Sequence, residues 1–137
     1  MTDLEALTLT IWGEARGEPI EGQIGVAMVM RNRLLEHYCG AQSYVEVCTA
    51  HDQFSAWAQE REQMQTASQA LVWTASQVWQ PALRLAHQIA QATLDGKLAD
   101  NTGGANHYYA SSIPAPQWAL DQPVLAVLGA HRFYKVA

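Results

Sequence analysis

The chain has 137 residues, with 8 lysines and arginines against 13 aspartates and glutamates, a net charge of -5 and 49% hydrophobic residues. Its length is near the modal size of one domain and its apolar content suffices for one sizeable core, so a single domain over residues 1–137 is expected. The acidic balance, with no basic block, excludes the electrostatic footprint of a nucleic-acid binder.

Thr2-Asp3-Leu4-Glu5 has the form of a capping box, and Leu4, Leu7, Ile11 and Ala15 follow at helical spacing, which predicts a first helix from about Asp3 to Arg16. Gly17 suits a left-handed residue past that helix, and Pro19 suits the first turn of the next one. A second helix over Pro19 to His37 is expected to bury Ile20, Ile24, Ala27, Met28 and Leu35 as the central core helix. From Tyr38 to Trp57 the periodicity fails, leaving an irregular excursion with one helical turn around Tyr44 to Val47. A Gln- and Ala-rich helix over Glu60 to Leu71 precedes a clearer one over Pro81 to Asp95, with Leu83, Ala86, His87, Ala90 and Leu94 on one face and Gly96 beyond its end. After Thr102-Gly103-Gly104, three short stretches around His107 to Tyr109, Val124 to Val127 and Arg132 to Val136 read as strands of a small antiparallel sheet, with turns at Pro114 to Pro116 and Gly129. The expected class is α+β, predominantly α-helical.

Residues 1–20 carry Asp3, Glu5, Glu14, Arg16 and Glu18, unlike an export signal, and no run of 18 apolar residues occurs, so no stable membrane insertion is expected. Cys39 and Cys48 lack the paired spacing of a zinc site. Their separation permits a bridged loop, and a disulfide and two free thiols stand as equal alternatives.

The stretch WGEARGEP, Trp12 to Pro19, sets two glutamates on either side of a helix break. Glu14 falls in the last turn of the first helix, where unpaired carbonyls raise a carboxyl pKa and Trp12 can desolvate it, which makes it a proton donor. Glu18 falls at the mouth of the next helix, whose free N–H groups favour a carboxylate. Two neighbouring carboxyls with opposed environments suit acid-assisted cleavage of a glycosidic bond. Set against this, such residues also serve as a simple cap and a solvated surface group.

WGEARGEPIEGQIGVAMVMRNRL, DQFSAW at Asp52 to Trp57, DNTGGANHYYA at Asp100 to Ala110 and LGAHRFYK at Leu128 to Lys135, taken together and in this order, resemble the SleB-like cell-wall hydrolases, the family of spore cortex-lytic enzymes. The resemblance implies a lysozyme-like, lytic-transglycosylase-like fold and cleavage of the bond between MurNAc and GlcNAc in peptidoglycan. It implies that Glu14, the first glutamate of GEARGE, is the general acid. Family members from spores usually carry an export signal and a wall-binding domain; this chain looks like the bare catalytic module found among bacteriophage endolysins and related bacterial lytic enzymes. That implies synthesis in the cytoplasm and action on the wall after release, with a holin or another export partner.

Glycan strands of peptidoglycan are the expected partner, no cofactor is expected, and the chain is expected to be a monomer. Gln53, Ser55, Asn106 and His107 are expected to hydrogen-bond sugar hydroxyl and acetamido groups, and Phe54, Trp57, Tyr108 and Tyr109 to offer flat faces to sugar rings. Gly103 and Gly104 permit close backbone approach. Trp73, Trp79 and Trp118 are assigned to the core. Glu18 is expected among the substrate-binding residues as an architectural cap that positions the break, and either Glu18 or Asp52 stands as the alternative second carboxylate that activates water. His131 reads equally as a cleft residue or a buried structural histidine, and His87 as core. The five histidines form no HExxH or close pair, so a zinc amidase has little support, and no motif surrounds a cysteine nucleophile. The rival readings are a muramidase that hydrolyses the same bond and a non-catalytic glycan-binding module.

Overall fold

Thr2 opens the first helix with the expected capping box: its Oγ1 accepts from the Glu5 N–H at 3.1 Å, and its own N–H donates to Glu5 Oε1 at 3.0 Å. In the computed structural model, which describes residues 1–50 and 81–137, helix α1 spans Asp3–Ala15 and α2 spans Ile20–Leu35. A short helical turn over Tyr38–Gly40 and helix α3, Tyr44–Thr49, follow. Beyond residue 80 come helix α4, Pro81–Leu94, strand β1, His107–Ala110, a second short turn over Gln117–Ala119, strand β2, Ala126–Leu128, and strand β3, His131–Tyr134.

Ala6, Leu7, Ile11 and Ala15 of α1 pack with Val26, Ala27, Met28 and Met30 of α2, Val47 and Cys48 of α3, and Ala86, Ile89 and Ala90 of α4 in the main core. The core face of α2 differs from the expected one, because Ile20 is 54% and Leu35 is 71% exposed. Helix α2 is surrounded by α1, α3, α4 and the sheet, so its middle, Gly25 to Met30, is buried all round while both apolar ends reach solvent. The helix also stops before His37, which takes a left-handed φ of 51°. Gly17 is not left-handed as expected; α1 instead closes through a right-handed Arg16, and the Glu18 N–H donates to Ala15 O at 2.9 Å. Gly96 is left-handed past α4, at φ 69°. His87 is half-buried.

The sheet is antiparallel in the order β1-β3-β2, pairing Tyr108 with Phe133, Ala110 with His131 and Leu128 with His131. Alternation gives it two faces. Tyr108, Phe133, Ala126 and Leu128 turn toward Val29 of α2 in a second small core. His107, Tyr109 and Tyr134 turn the other way, where Trp118 covers them; its ring centroid lies 4.8 Å from that of His107 and 5.5 Å from that of Tyr134.

A polar edge of α2 staples the approach to β1. Asn32 Nδ2 donates to Asp100 Oδ2 at 3.0 Å and to Ala105 O at 2.8 Å, and Arg31 Nη1 donates to Leu98 O at 2.8 Å. Burial would raise the Asp100 pKa, but hydrogen bonds from Thr102, Asn32 and Gly104 outweigh it and hold the carboxyl below its ordinary value. Gly103 and Gly104 therefore serve this turn.

Cys39 and Cys48 do not form the disulfide that their spacing permits; both are free thiols. Cys39 sits exposed in a left-handed turn, whereas Cys48 points into the core, its Sγ 3.3 Å from Met30 Sδ. Burial pushes the Cys48 thiol up to about 12. The expected helix over Glu60 to Leu71, together with Trp73 and Trp79, lies outside the described residues.

Candidate active site

Where the last turns of α1 and α2 and the sheet converge, a cleft of about 540 Å³ opens. Glu14 and Gly13 of α1 form one side, and Tyr108, Tyr109 and Ala110 of β1 with His131 of β3 form another. Arg33 of α2 lies at its base, and Ile113, Pro116 and Trp118 complete it. Glu14 is the one carboxylate among these described lining residues.

The Tyr108 hydroxyl is held protonated, its pKa raised well above the usual tyrosine value. Burial is the largest cause, followed by the negative charge of Glu14. The Tyr108 ring packs edge-on against His131, with centroids 5.2 Å apart and planes at 74°.

Glu18, on the far side of the break, does not cap α2; Pro19 occupies the cap position and no side chain bonds there. Its carboxylate reaches the turn between β2 and β3 instead, where Oε1 accepts from the Ala130 N–H at 2.6 Å and from His131 Nδ1 at 3.0 Å. Gly129 makes this approach feasible: it has a φ of 60°, and a Cβ there would lie 2.8 Å from Glu18 Oε1. His131, only 5% exposed, satisfies both expectations at once, being a hydrogen-bonded structural histidine whose ring lines the cleft.

Asn106 does not act as a sugar contact. It is 2% exposed and fully engaged: Nδ2 donates to Glu36 Oε2 at 3.0 Å and Val136 O at 2.8 Å, and Oδ1 accepts from the Val136 N–H at 2.8 Å. That arrangement fixes Oδ1 as an acceptor, so His107 carries its proton on Nδ1, 2.9 Å away, and its Nε2 accepts from the Tyr38 hydroxyl at 3.3 Å. Burial, then the nearby charge of Arg33, lowers the His107 pKa to about 4. His107 is thus a neutral spacer between Tyr38 and Trp118 and does not line the cleft.

Two cleft residues escape a reading by sequence. Arg33 is 5% exposed, its Nε donating to Asn106 O at 2.6 Å and its guanidinium lying 4.7 Å from the centre of the Tyr38 ring. Desolvation lowers its pKa below the ordinary arginine value. Trp118, assigned to the core by sequence, borders the cleft. Gln53, Phe54, Ser55 and Trp57 lie outside the described residues, as does Asp52. Among the described residues no three metal-binding side chains cluster, and no helix is long and apolar enough to cross a membrane.

A family model described as Cell Wall Hydrolase matches residues 17–134. The spore cortex-lytic enzyme of Halalkalibacterium halodurans is 27% identical over 134 residues, which make up 96% of this chain and 34% of that protein. The spore cortex-lytic enzyme of Oceanobacillus iheyensis is 26% identical over 134 residues, covering 97% of this chain and 41% of that protein. The chain thus spans less than half the length of these relatives. Two solved structures share the fold, each with a TM-score of 0.71 at 24% identity over 97% of this chain. They are the catalytic domain of the Bacillus cereus SleB protein, covered to 89%, and the catalytic domain of the germination-specific lytic transglycosylase SleB from Bacillus anthracis, covered to 93%. The helical frame with its small antiparallel sheet is therefore the lysozyme-like fold expected from the sequence motifs. With the family model matching most of its length, the chain belongs to the cell wall hydrolase family.

Proposed function

We propose that the chain cleaves the MurNAc to GlcNAc bond of peptidoglycan as a lytic transglycosylase, with Glu14 as the acid and then the base. The observation that carries this reading is a lone carboxyl, among the described lining residues, in a cleft walled by Tyr108, Tyr109 and Trp118. Family membership and the names of the relatives point to the same substrate.

In the proposed reaction the protonated Glu14 carboxyl donates to the bridging oxygen as positive charge develops at the MurNAc anomeric carbon. The 6-hydroxyl of the same sugar attacks that carbon and closes a 1,6-anhydro ring, and the Glu14 carboxylate accepts the hydroxyl proton. One carboxyl serves both steps. The engagement of Glu18 with His131 and Ala130 argues against its use as a second carboxylate that activates water. The aromatic rings would face the apolar sides of the sugars. Action as a monomer on the wall, reached through a holin or another export route, belongs to the same proposal.

Digestion of purified peptidoglycan followed by mass spectrometry tests it. The wild-type chain is expected to release fragments ending in 1,6-anhydro-MurNAc, and Glu14→Gln none. Reducing ends that have gained water identify a muramidase, new amino groups an amidase or peptidase, and release by Glu14→Gln removes Glu14 from the chemistry.

A further inference from the structure

Glu14 stands in the last turn of α1 and lines the cleft. A group that both gives and takes a proton must hold one orientation, because displacement by about 1 Å can cost a hundredfold in rate. The cleft supplies neighbours for this purpose. Tyr108 and His131 line it together with Glu14, and their rings meet edge to face. His131 is fixed from behind, its Nδ1 3.0 Å from Glu18 Oε1. Glu18 is fixed in turn, since the same oxygen takes the Ala130 N–H at 2.6 Å and the turn at Gly129 leaves no room for a side chain against it. These contacts run from Glu18 through His131 to Tyr108, which shares the cleft with Glu14.

We propose that Glu18 is a positioning residue for the reaction: through His131 and Tyr108, it sets the orientation of the Glu14 carboxyl across the helix break. Tyr108 and Glu14 line the same cleft, and His131 packs edge-on against the Tyr108 ring and fixes the plane in which it stands. A rigid supporting layer of this kind is what keeps a reacting group in its productive geometry. The inference explains why two carboxylates flank the break when one lines the cleft: the second acts at one remove. It rests on the glycosidase reading above.

The test compares wild type, Tyr108→Phe, Glu18→Gln, the double variant and Glu14→Gln on soluble glycan strands, with thermal melting measured for each. Tyr108→Phe is expected to lower kcat by about tenfold to a hundredfold with KM within about twofold, as for a misoriented catalytic group. Glu18→Gln is expected to lower kcat in the same manner, and the double variant to be no slower than Tyr108→Phe alone, because both changes break one line of contacts. Multiplying losses in the double variant, or losses in KM alone, overturn the proposal. So does unchanged kcat in Tyr108→Phe, which keeps the ring and carries the test by itself where Glu18→Gln does not fold. Release by Glu14→Gln overturns the glycosidase reading instead, so the two failures are distinct.

Discussion

Phe133 of β3 presses its ring onto Gly25 of α2 so closely that a Cβ at position 25 would fall 2.6 Å from Phe133 Cζ. Alanine would gain about 1 kcal/mol of helix propensity over glycine, whereas overpacking a core costs about 1 to 3 kcal/mol. Phe133 is fully buried and has little room to yield. Gly25→Ala is therefore expected to lower stability by about 1 to 2 kcal/mol, read as a lower urea midpoint at unchanged slope. Gly22→Ala, where the nearest atom is 3.3 Å away, serves as a milder control.

Asn106→Ala strands the Val136 N–H and carbonyl and one carboxylate oxygen of Glu36. A loss of about 1 to 3 kcal/mol is expected from part-buried groups left without partners. KM for glycan is expected to stay within about twofold in protein that remains folded, since the side chain reaches no ligand. A large rise in KM without loss of stability would return Asn106 to the substrate.

His107 gives stability a pH dependence. Its ordinary pKa is 6.5 and its folded value about 4, so between these the unfolded chain binds more protons. The contribution is complete above pH 6.5 and is lost as pH falls toward 4. Melting curves of wild type and His107→Gln are expected to differ most in slope across this window. Asp100, whose pKa is also lowered, acts further down, below its ordinary 3.8.

The two thiols should react very differently with a water-soluble disulfide reagent in the native protein. Cys39 is exposed and expected to react rapidly, whereas Cys48, buried with its pKa pushed to about 12, is expected to react only on unfolding. Equal rates, or a mass change on reduction of the purified chain, would contradict the free, segregated pair.

Trp118→Ala tests the aromatic wall. A ring contact worth about 1.5 kcal/mol corresponds to about a tenfold loss in glycan binding. The loss is expected in KM, because the indole is proposed to hold a sugar ring and carries no proton of the proposed reaction. Its packing against His107 and Tyr134 also makes a stability loss expected, so binding is measured well below the melting point.

Most of the frame was legible from local signals: the capping box at Thr2, Gly96 past α4 and the alternation around Tyr108 each act within a few residues. The cleft was legible where a motif carried it, at Glu14, Tyr108, Tyr109 and His131. Arg33 was not, since an arginine on a helix ordinarily reads as solvated, and only the approach of Asn106 and Tyr38 from distant segments buries it. Trp118, Asn106 and Glu18 were misread for a related reason. Residue type cannot distinguish a core ring from a cleft wall, a buried amide from a sugar contact, or a helix cap from a tie to a turn more than a hundred residues away. Ile20 and Leu35 show the limit of periodicity for a helix enclosed on all sides along its middle.

No single element owns the cleft: its carboxyl stands on α1, its arginine on α2, and its tyrosines and histidine on strands that follow the described helices in the chain. A half-assembled molecule can thus hold its full complement of helices and still lack any means of cutting glycan. During refolding, the far-ultraviolet signal should return before lytic activity does. Such a delay would keep the proposed glycan-cutting centre unformed until β3 has docked.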